Sequence, residues 1–366
     1  MSLPPPAELL GSIRTSCAAV SLPVDQSAVD RFILSISQSE WARLSENHGV
    51  RLPLRFETAL EELNVLAMLG LLNFLSGYRS ELHRLTGRGA YSTILSLVLS
   101  AYLSADSSIP ASSILTTEGM IAATVSTIAS LAQITTHTEQ DHPTLGAAVK
   151  VGTKDAQAFE ICQLVVDVLH ETGLTLQGLQ FDSIGAWFKA ELCRTNGDSG
   201  AMIHSMATTF PAFRDVHEID SNPVYIFKKA LWTLNAIHAR FNSSSSSDQL
   251  DFPVPTAVDQ FPVFADNVLP SMLVHLGILP ASSSSPTATT SSTILRASSI
   301  YAGFIIVKRA HELASASSNS DDDDRAWLRG WNEVGLDGYL WSVAKEKGNR
   351  QAVERILSHE KGTVLY

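Results

Sequence analysis

The sequence has few cysteines, and they show no regular spacing. Its three cysteines, Cys17, Cys162 and Cys193, are far apart, and none belongs to a Cys-x-x-Cys pair. Neither a disulfide framework nor a zinc site of the usual spacing is therefore expected. We predict buried or incidental thiols in a reducing compartment.

Long apolar runs and an excess of positive charge are also missing. No uninterrupted apolar run reaches the ~18–20 residues of a membrane span, and the N-terminus lacks the basic and apolar regions of a secretory signal. The formal net charge of −11 argues against general affinity for a nucleic-acid polymer. We expect a cytoplasmic location, with the nucleus as a second one, and no membrane or nucleic-acid polymer as partner. A small nucleotide needs only a few local cations and stays compatible with this charge.

Strand patterns and organised metal ligands are absent as well. No segment alternates apolar and polar residues convincingly over strand length, so we predict an all-α fold. His137, Glu139, Asp141 and His142 crowd a polar stretch at 135–154. They have no regular spacing and no apolar frame to hold a first shell, so we predict a surface loop there, with no metal and no cofactor.

What the sequence does contain is ample material for a core. Its 366 residues are 45% hydrophobic, enough for one large or two ordinary domains. We predict an N-terminal helical segment, residues 1–55, that packs on a single large helical domain, residues 56–366. Three low-complexity tracts are predicted to be surface loops: 243–247, 281–293 and 319–324.

Apolar residues recur at helical spacing along most of the chain. Glycines at 173 and 178 predict a break between two of these helices. The predicted helices are 6–21, 26–45, 56–75, 91–103, one or two within 113–131, 159–171, 184–194, 201–209, 294–314, 336–346 and 350–359.

The segment from 210 to 279 carries most of the candidate chemistry. Apolar residues at spacings of three and four predict a helix over 224–241. At about 100° per residue, Lys228 lies on the flank of its apolar stripe and Lys229 on the solvated side. Lys228 is therefore either a cleft lysine or an ordinary lysine whose stem packs along the stripe.

A second helix is predicted over 268–275, with Pro270 in its first turn and Gly277 after its end. Asp266 and Asn267 then stand at its N-terminus, where free N–H groups and the helix dipole favour a carboxylate. The simpler reading is that one of them only caps the helix.

Three further positions have a structural and a functional reading. Asn73, beside Phe74, is an amide in an apolar run and must find hydrogen bonds from backbone or ligand. Arg88 lies between two glycines before a helix, which suits either a plain turn or a phosphate site. Asp337 is either a helix cap or surface acid, or a functional carboxylate.

Five separated blocks carry a resemblance to a known family. They are Phe-Pro-Ala-Phe-Arg-Asp-Val (210–216), Phe-Lys-Lys-Ala (227–230), Phe-Ala-Asp-Asn-Val-Leu-Pro (264–270), Val-His-Leu-Gly (274–277) and Leu-Asp-Gly-Tyr-Leu-Trp (336–341). In this order they resemble the queuosine salvage proteins, and most closely the fungal branch, from about Leu63 to the C-terminus. Residues 72–79 and 86–90 are also similar to that branch.

The resemblance implies hydrolysis of the N-glycosidic bond of queuosine 5′-monophosphate, which releases queuine for salvage into tRNA modification. It also implies an architecture similar to helix-hairpin-helix DNA glycosylases, in which a lysine and an aspartate flank the scissile bond. Lys228 with Asp266 or Asp337 would take these places, and the two aspartates are not distinguished. The implied substrate-binding residues are Asn73, Phe74, Arg88, Phe227, Phe264, Asn267, Tyr339, Trp341 and His48.

Two departures from the family pattern affect the base contacts more than the reaction. Asn267 stands where many members have tyrosine, and the stretch 75–78 replaces a tryptophan that often follows Leu-Asn-Phe. Two other functions stay open: a non-catalytic nucleotide-binding or scaffold protein of the same fold, and a glycosylase for another modified nucleotide. The sequence does not indicate an oligomeric state.

Overall fold

The architecture comes from a computed structural model of the chain. The structure describes residues 2–46, 52, 54–104, 113–142, 144–242, 250–281, 291–316, 325–346, 348–349, 353 and 360–366. The predicted loops 243–247 and 319–324 lie outside these residues, as do most of 281–293 and nearly all of the predicted helix 350–359.

The described residues form a mostly helical protein with 15 α-helices and four short strands. The helices are α1 Leu9–Val20, α2 Gln26–Ser35, α3 Gln38–Leu44, α4 Ala59–Leu71, α5 Arg79–Thr86, α6 Ala90–Leu103, α7 Thr117–Ile121, α8 Val125–Ala132, α9 Ala156–Gly178, α10 Ile184–Thr195, α11 Ser199–Thr209, α12 Lys228–Phe241, α13 Val268–His275, α14 Ser292–Ala316 and α15 Glu333–Val343. The strands are β1 His137–His142, β2 Gly146–Lys154, β3 Val216–Ile219 and β4 Asn222–Tyr225.

The strands form two antiparallel hairpins, β1–β2 and β3–β4. The mostly helical structure agrees with the predicted all-α class, but the hairpins correct the expectation that no segment forms a strand and the prediction of a loop at 135–154. The register of β1–β2 pairs His137 with Lys154 and Thr138 with Thr153. Its described side chains are exposed on both faces. A strand wet on both faces lacks the apolar and polar alternation that predicts a strand, which is why the sequence did not reveal it.

The chain divides into two compact units, each assembled from separated stretches. The first contains Met1–Leu54, Thr195–Ala207 and Arg214–His359; the second contains Arg55–Arg194, Thr208–Phe213 and Glu360–Tyr366. The predicted division into 1–55 and 56–366 stays a prediction, as does the similarity to helix-hairpin-helix DNA glycosylases.

In the first unit, helix α14 is the central packing element. It packs against α1, α2, α13 and α15, and α15 also packs on α3. Helix α12 is buried on nearly every side, from Lys228 to Ile237. A helix buried all round has no solvated face, so its polar residues must find partners inside the protein. This unit contains Lys228, Asp266 and Asp337.

In the second unit, α9 runs without interruption through the predicted break. A side-chain carbon at Gly173 would stand 2.8 Å from Ile121 Cγ1 and 2.9 Å from Met120 Cβ. Glycine is therefore required by the close approach of α7 to α9 and not by a turn. The prediction of two helices separated by 173–178 is wrong in this respect.

The last described residues complete the second unit. The Tyr78 hydroxyl donates to Glu160 Oε1 at 2.6 Å and accepts the Gly362 N–H at 3.0 Å. A side-chain carbon at Gly77 would overlap the carbonyl of Glu360. The segment Glu360–Tyr366 is thus seated directly on residues 77 and 78.

The remaining helix predictions that fall on described residues agree with the structure within a few residues, except that 26–45 forms two helices and 224–241 begins late. Among the described residues, no single helix is long and apolar enough to cross a membrane. One pair of helices separated by a bend, Ala59–Leu71 and Ser76–Thr86, has together the length and apolar composition of a membrane span.

Candidate active site

The site begins where strand β4 passes into helix α12. Phe227 has a positive φ of 50° in the left-handed region, and Lys228 is the first helical residue. The predicted helix start at 224 is therefore wrong, because residues 222–225 form β4. This abrupt turn points the backbone N–H of Lys228 at Asp215 Oδ2, 3.3 Å away.

Both lysines at the start of α12 are buried. Lys228 is 5% exposed and Lys229 is 1% exposed. The prediction that Lys229 lies on a solvated side is wrong, because α12 has no solvated side at this end. Burial, together with the neighbouring charge of Lys228, holds the pKa of Lys229 well below its usual value.

Asp266 stands at the N-terminus of α13, as predicted. Its Oδ1 accepts the Val268 N–H at 2.7 Å, and the side chain is half-buried. The helix runs over Val268–His275, which confirms the sequence expectation. Asn267 is 3% exposed, and its carbonyl accepts the Ser271 hydroxyl at 2.9 Å. Asp266 therefore accepts a hydrogen bond at the start of the helix and is only half-buried.

Asp337 lies in the buried interior of α15 and is neither a cap nor a surface acid. Its Oδ1 accepts the backbone N–H of Phe264 at 2.8 Å, which ties α15 to the segment before Asp266. Burial, with a smaller contribution from the charge of Asp266, raises the pKa of Asp337 to about 8, although the Phe264 N–H and Lys228 both act to lower it. At neutral pH this carboxyl group is mostly protonated.

Lys228 completes an electrostatic cluster with the two aspartates. Burial and the charge of Arg296 lower the pKa of Lys228 to about 8, while Asp266, Asp337 and Asp215 oppose the shift. Three separate segments thus bring together one amine and two carboxyl groups whose environments differ. Buried groups with shifted pKa values, such as Lys228 and Asp337, are typical of active sites.

Two of the four predicted aromatic residues are close in sequence to the cluster residues, and the other two make contacts elsewhere. Phe227 and Phe264, 0% and 4% exposed, adjoin the cluster residues in sequence. Tyr339 instead belongs to an aromatic group, where its ring stacks on Trp41 with centroids 5.7 Å apart and its hydroxyl donates to Glu40 Oε1 at 3.0 Å. Trp341 is half-buried, and Lys345 Nζ lies 2.8 Å from its ring centroid. The roles of all four at a substrate stay predictions.

Four other predicted residues are not part of the described cluster. Asn73, Phe74 and Arg88 belong to the second unit. There, the Arg88 guanidinium donates to Gln133 Oε1 at 2.9 Å and to the Ala132 carbonyl at 2.8 Å. His48 lies outside the described residues. Their roles in binding also stay predictions.

Sequence reasoning missed two charged residues beside the cluster, Asp215 and Arg296. Arg296 Nη2 lies 2.6 Å from Asp215 Oδ2, and Arg296 Nη1 lies 3.1 Å from Asp215 Oδ1. Each residue is 1% exposed. Burial alone would raise the pKa of Asp215, but Arg296 and a hydrogen bond from His217 hold it well below its usual range. The sequence offered two signals for this pair: the place of Asp215 in the block 210–216, and an arginine within the apolar pattern of 294–314.

The comparisons with known proteins agree with the sequence blocks. The family profile described as queuosine salvage protein matches residues 121–366, about two thirds of the chain. The match includes Asp215, Lys228, Asp266, Arg296 and Asp337. No curated protein matches the chain.

Proposed function

Because the chain belongs to the queuosine salvage protein family, we propose that it hydrolyses the N-glycosidic bond of queuosine 5′-monophosphate and releases queuine. The proposal depends most on the cluster of Lys228, Asp266 and Asp337, in which Asp337 is buried and Asp266 is half-buried. Such a difference supports a division of labour between a neutral acid and a charged carboxylate.

In the proposed reaction the bond between the sugar C1′ and the base nitrogen breaks, and its electron pair leaves with the base. Positive charge develops on the sugar, as it does in glycoside cleavage, and an adjacent carboxylate stabilises it. We assign this part to Asp266, which is less buried than Asp337. Asp266 also accepts the proton of the water molecule whose oxygen bonds to C1′.

We assign the hydrogen-bond donor to Asp337. A protonated carboxyl group can donate to the departing base and supply the proton that its nitrogen gains. The raised pKa supports this assignment, because an ionised Asp337 could only accept. The 7-deazaguanine base has no N7 to protonate, so hydrogen bonding to the departing base matters more than in a purine.

Lys228 supplies positive charge near the sugar or the phosphate. Below pH of about 8 the amine is mostly protonated, since that is the pKa its buried position gives it. An ammonium group of this kind attracts a nucleotide monophosphate without the extended basic surface that a polymer requires.

The test is to incubate the purified protein with queuosine 5′-monophosphate and to measure free queuine by mass spectrometry. Asp266→Asn and Lys228→Met should each abolish most of the release. Asp30→Asn is the matched control, because Asp30 pairs with Arg309 in the same unit but is 38% exposed and outside the cluster. This control should retain full activity.

The same assay separates the alternatives. Binding of the nucleotide without queuine release indicates a non-catalytic protein of this family. Release of a base from another modified nucleotide, but not from queuosine 5′-monophosphate, indicates a different glycosylase. Unsubstituted protein that neither binds nor cleaves queuosine 5′-monophosphate contradicts the proposal.

A further inference from the structure

A buried ion pair connects two of the residues assigned to the reaction, although it has no part in the chemistry above. At one end, Asp215 Oδ2 accepts the backbone N–H of Lys228 at 3.3 Å. At the other, Arg296 Nε donates to the carbonyl of Ala265 at 2.9 Å. Ala265 directly precedes Asp266, so the pair joins the backbone of residue 228 to that of residue 265.

The Asp215 end replaces a helix cap that α12 lacks. Phe227, in the left-handed conformation, gives no side-chain cap to the helix. The first N–H groups of a helix need acceptors, and a carboxylate there also meets the positive end of the dipole. Asp215 provides that carboxylate from outside the helix. Its backbone carbonyl also accepts the Ile226 N–H at 3.1 Å, which fixes the chain just before the turn.

The Arg296 end holds the Asp266 segment from a rigid position. Arg296 lies near the start of α14, which packs against α13, the helix that begins after Asp266. Its guanidinium uses Nε for Ala265 and both terminal nitrogens for Asp215. A planar guanidinium can make all three bonds at once, whereas a lysine ammonium lacks this fork geometry.

We propose that Asp215 and Arg296 are a positioning pair that fixes Lys228 and Asp266 relative to each other for the cleavage of the glycosidic bond. This inference rests on the proposed function. Neither residue acts on the substrate in this scheme. A displacement of about 1 Å at a catalytic group can lower a rate on the order of 10²-fold, so a pair that holds two such groups has a large effect on kcat.

The pair also influences the charge state of Lys228. Arg296 lowers the pKa of Lys228, and Asp215 raises it by a smaller amount; Asp266 and Asp337 are the other groups that raise it. Lys229 lies next to it in the chain, and its own pKa is lowered by Lys228. Removal of both members of the pair should therefore raise the pKa of Lys228.

The first test is Arg296→Lys, which keeps the positive charge but loses the three-bond geometry. We expect kcat for queuine release to fall about 10²-fold with KM changed less than threefold. The rates are measured well below the unfolding temperature and scaled to the folded fraction found by circular dichroism. Arg309→Lys is the matched control, because Arg309 also makes a two-bond pair, with Asp30 at 2.6 and 3.1 Å, on a partly exposed surface. Its kcat should not change.

A second variant addresses the possibility that a buried unpaired charge prevents folding. The double substitution Asp215→Asn with Arg296→Met removes both charges together, which proteins tolerate better than the loss of one partner. Its kcat should fall at least tenfold. The decrease of its kcat at alkaline pH should also be less steep than in the unsubstituted enzyme. The reason is that Lys228 in this variant loses its proton at higher pH than Asp337 does.

The outcomes separate this inference from the proposed function. If the unsubstituted protein releases no queuine, the proposed function fails, and the positioning of its groups fails with it. If it is active and the folded Arg296→Lys and double variants keep its kcat and pH profile, the positioning inference alone is overturned. A loss of thermal stability with unchanged kcat would show that the pair is only structural.

Discussion

Asp337→Asn tests the protonation state on which the proposed division of labour depends. The substitution keeps the shape of the side chain and the oxygen that accepts the Phe264 N–H. The folded-state pKa of Asp337 is raised to about 8 from a reference value of 3.8. Between these two values, the unfolded chain releases its proton and the folded chain keeps it. Unfolding is therefore favoured as pH rises, and the original protein loses stability through this window.

The amide variant has no such titration, so its stability relative to the original protein should increase with pH. Each pH unit inside the window corresponds to about 1.4 kcal/mol, which gives roughly 2–3 kcal/mol between pH 5 and pH 7. Glu333, whose pKa burial raises to about 7, contributes a similar trend to both proteins, and its contribution cancels in the difference. Lys228 acts in a separate window, between about 8 and its usual value of 10.5.

The assay is urea denaturation followed by tryptophan fluorescence at pH 5, 6 and 7. The urea midpoint of Asp337→Asn, relative to that of the original protein, should increase from pH 5 to pH 7. Queuine release by this variant should be largely lost. Asp30→Asn is the control, because Arg309 lowers the pKa of Asp30 and its titration lies below this range. Its difference from the original protein should stay constant. A constant difference for Asp337→Asn as well would refute the assignment of Asp337 as a neutral acid.

Three further predictions concern activity and packing. Asp266→Asn should lower kcat by about 10²–10³-fold with little change in the far-ultraviolet circular dichroism spectrum, since it removes the charge that stabilises the transition state; a variant with at least half the original kcat would contradict that role. The pH dependence of kcat should fall above pH of about 8 with a slope steeper than one proton, because Lys228 and Asp337 both lose their protons there; a rate that rises through pH 8 would contradict both assignments. Gly173→Ala should lower the melting temperature, because the added carbon meets Ile121 and Met120. Gly178→Ala in the same helix meets nothing within 4 Å and should stabilise the protein by up to about 1 kcal/mol. Equal shifts of the melting temperature would show that the contact of α7 with α9 relaxes.

The spacing of apolar residues predicted the helices that have one buried and one exposed face. Residues typical of helix ends predicted the bounds of α13. Pro270 and Gly277 mark its ends, so its bounds and the place of Asp266 followed from local rules. The family profile confirms the resemblance drawn from separated sequence blocks. These features depend on few neighbours, which is why a sequence can reveal them.

Features that depend on tertiary neighbours were beyond the same reasoning. A helical wheel assumes one solvent-exposed face and therefore places Lys229 in solvent, but α12 has no such face here. Gly173 predicts a break in the helix, but the helix continues because the glycine accommodates α7. The ion pair of Asp215 and Arg296 joins residues that are 81 positions apart, and no local sequence pattern predicts their contact.

The seat of Glu360–Tyr366 on Tyr78 has a consequence for synthesis of the protein. Tyr78 and Gly362 are 284 positions apart, so a ribosome must add all the residues between them before this hydrogen bond can close. Until then, Gly77 lacks its contact with the carbonyl of Glu360. Nascent chains stalled before residue 360 should therefore show greater protease sensitivity around residues 76–79 than the released protein.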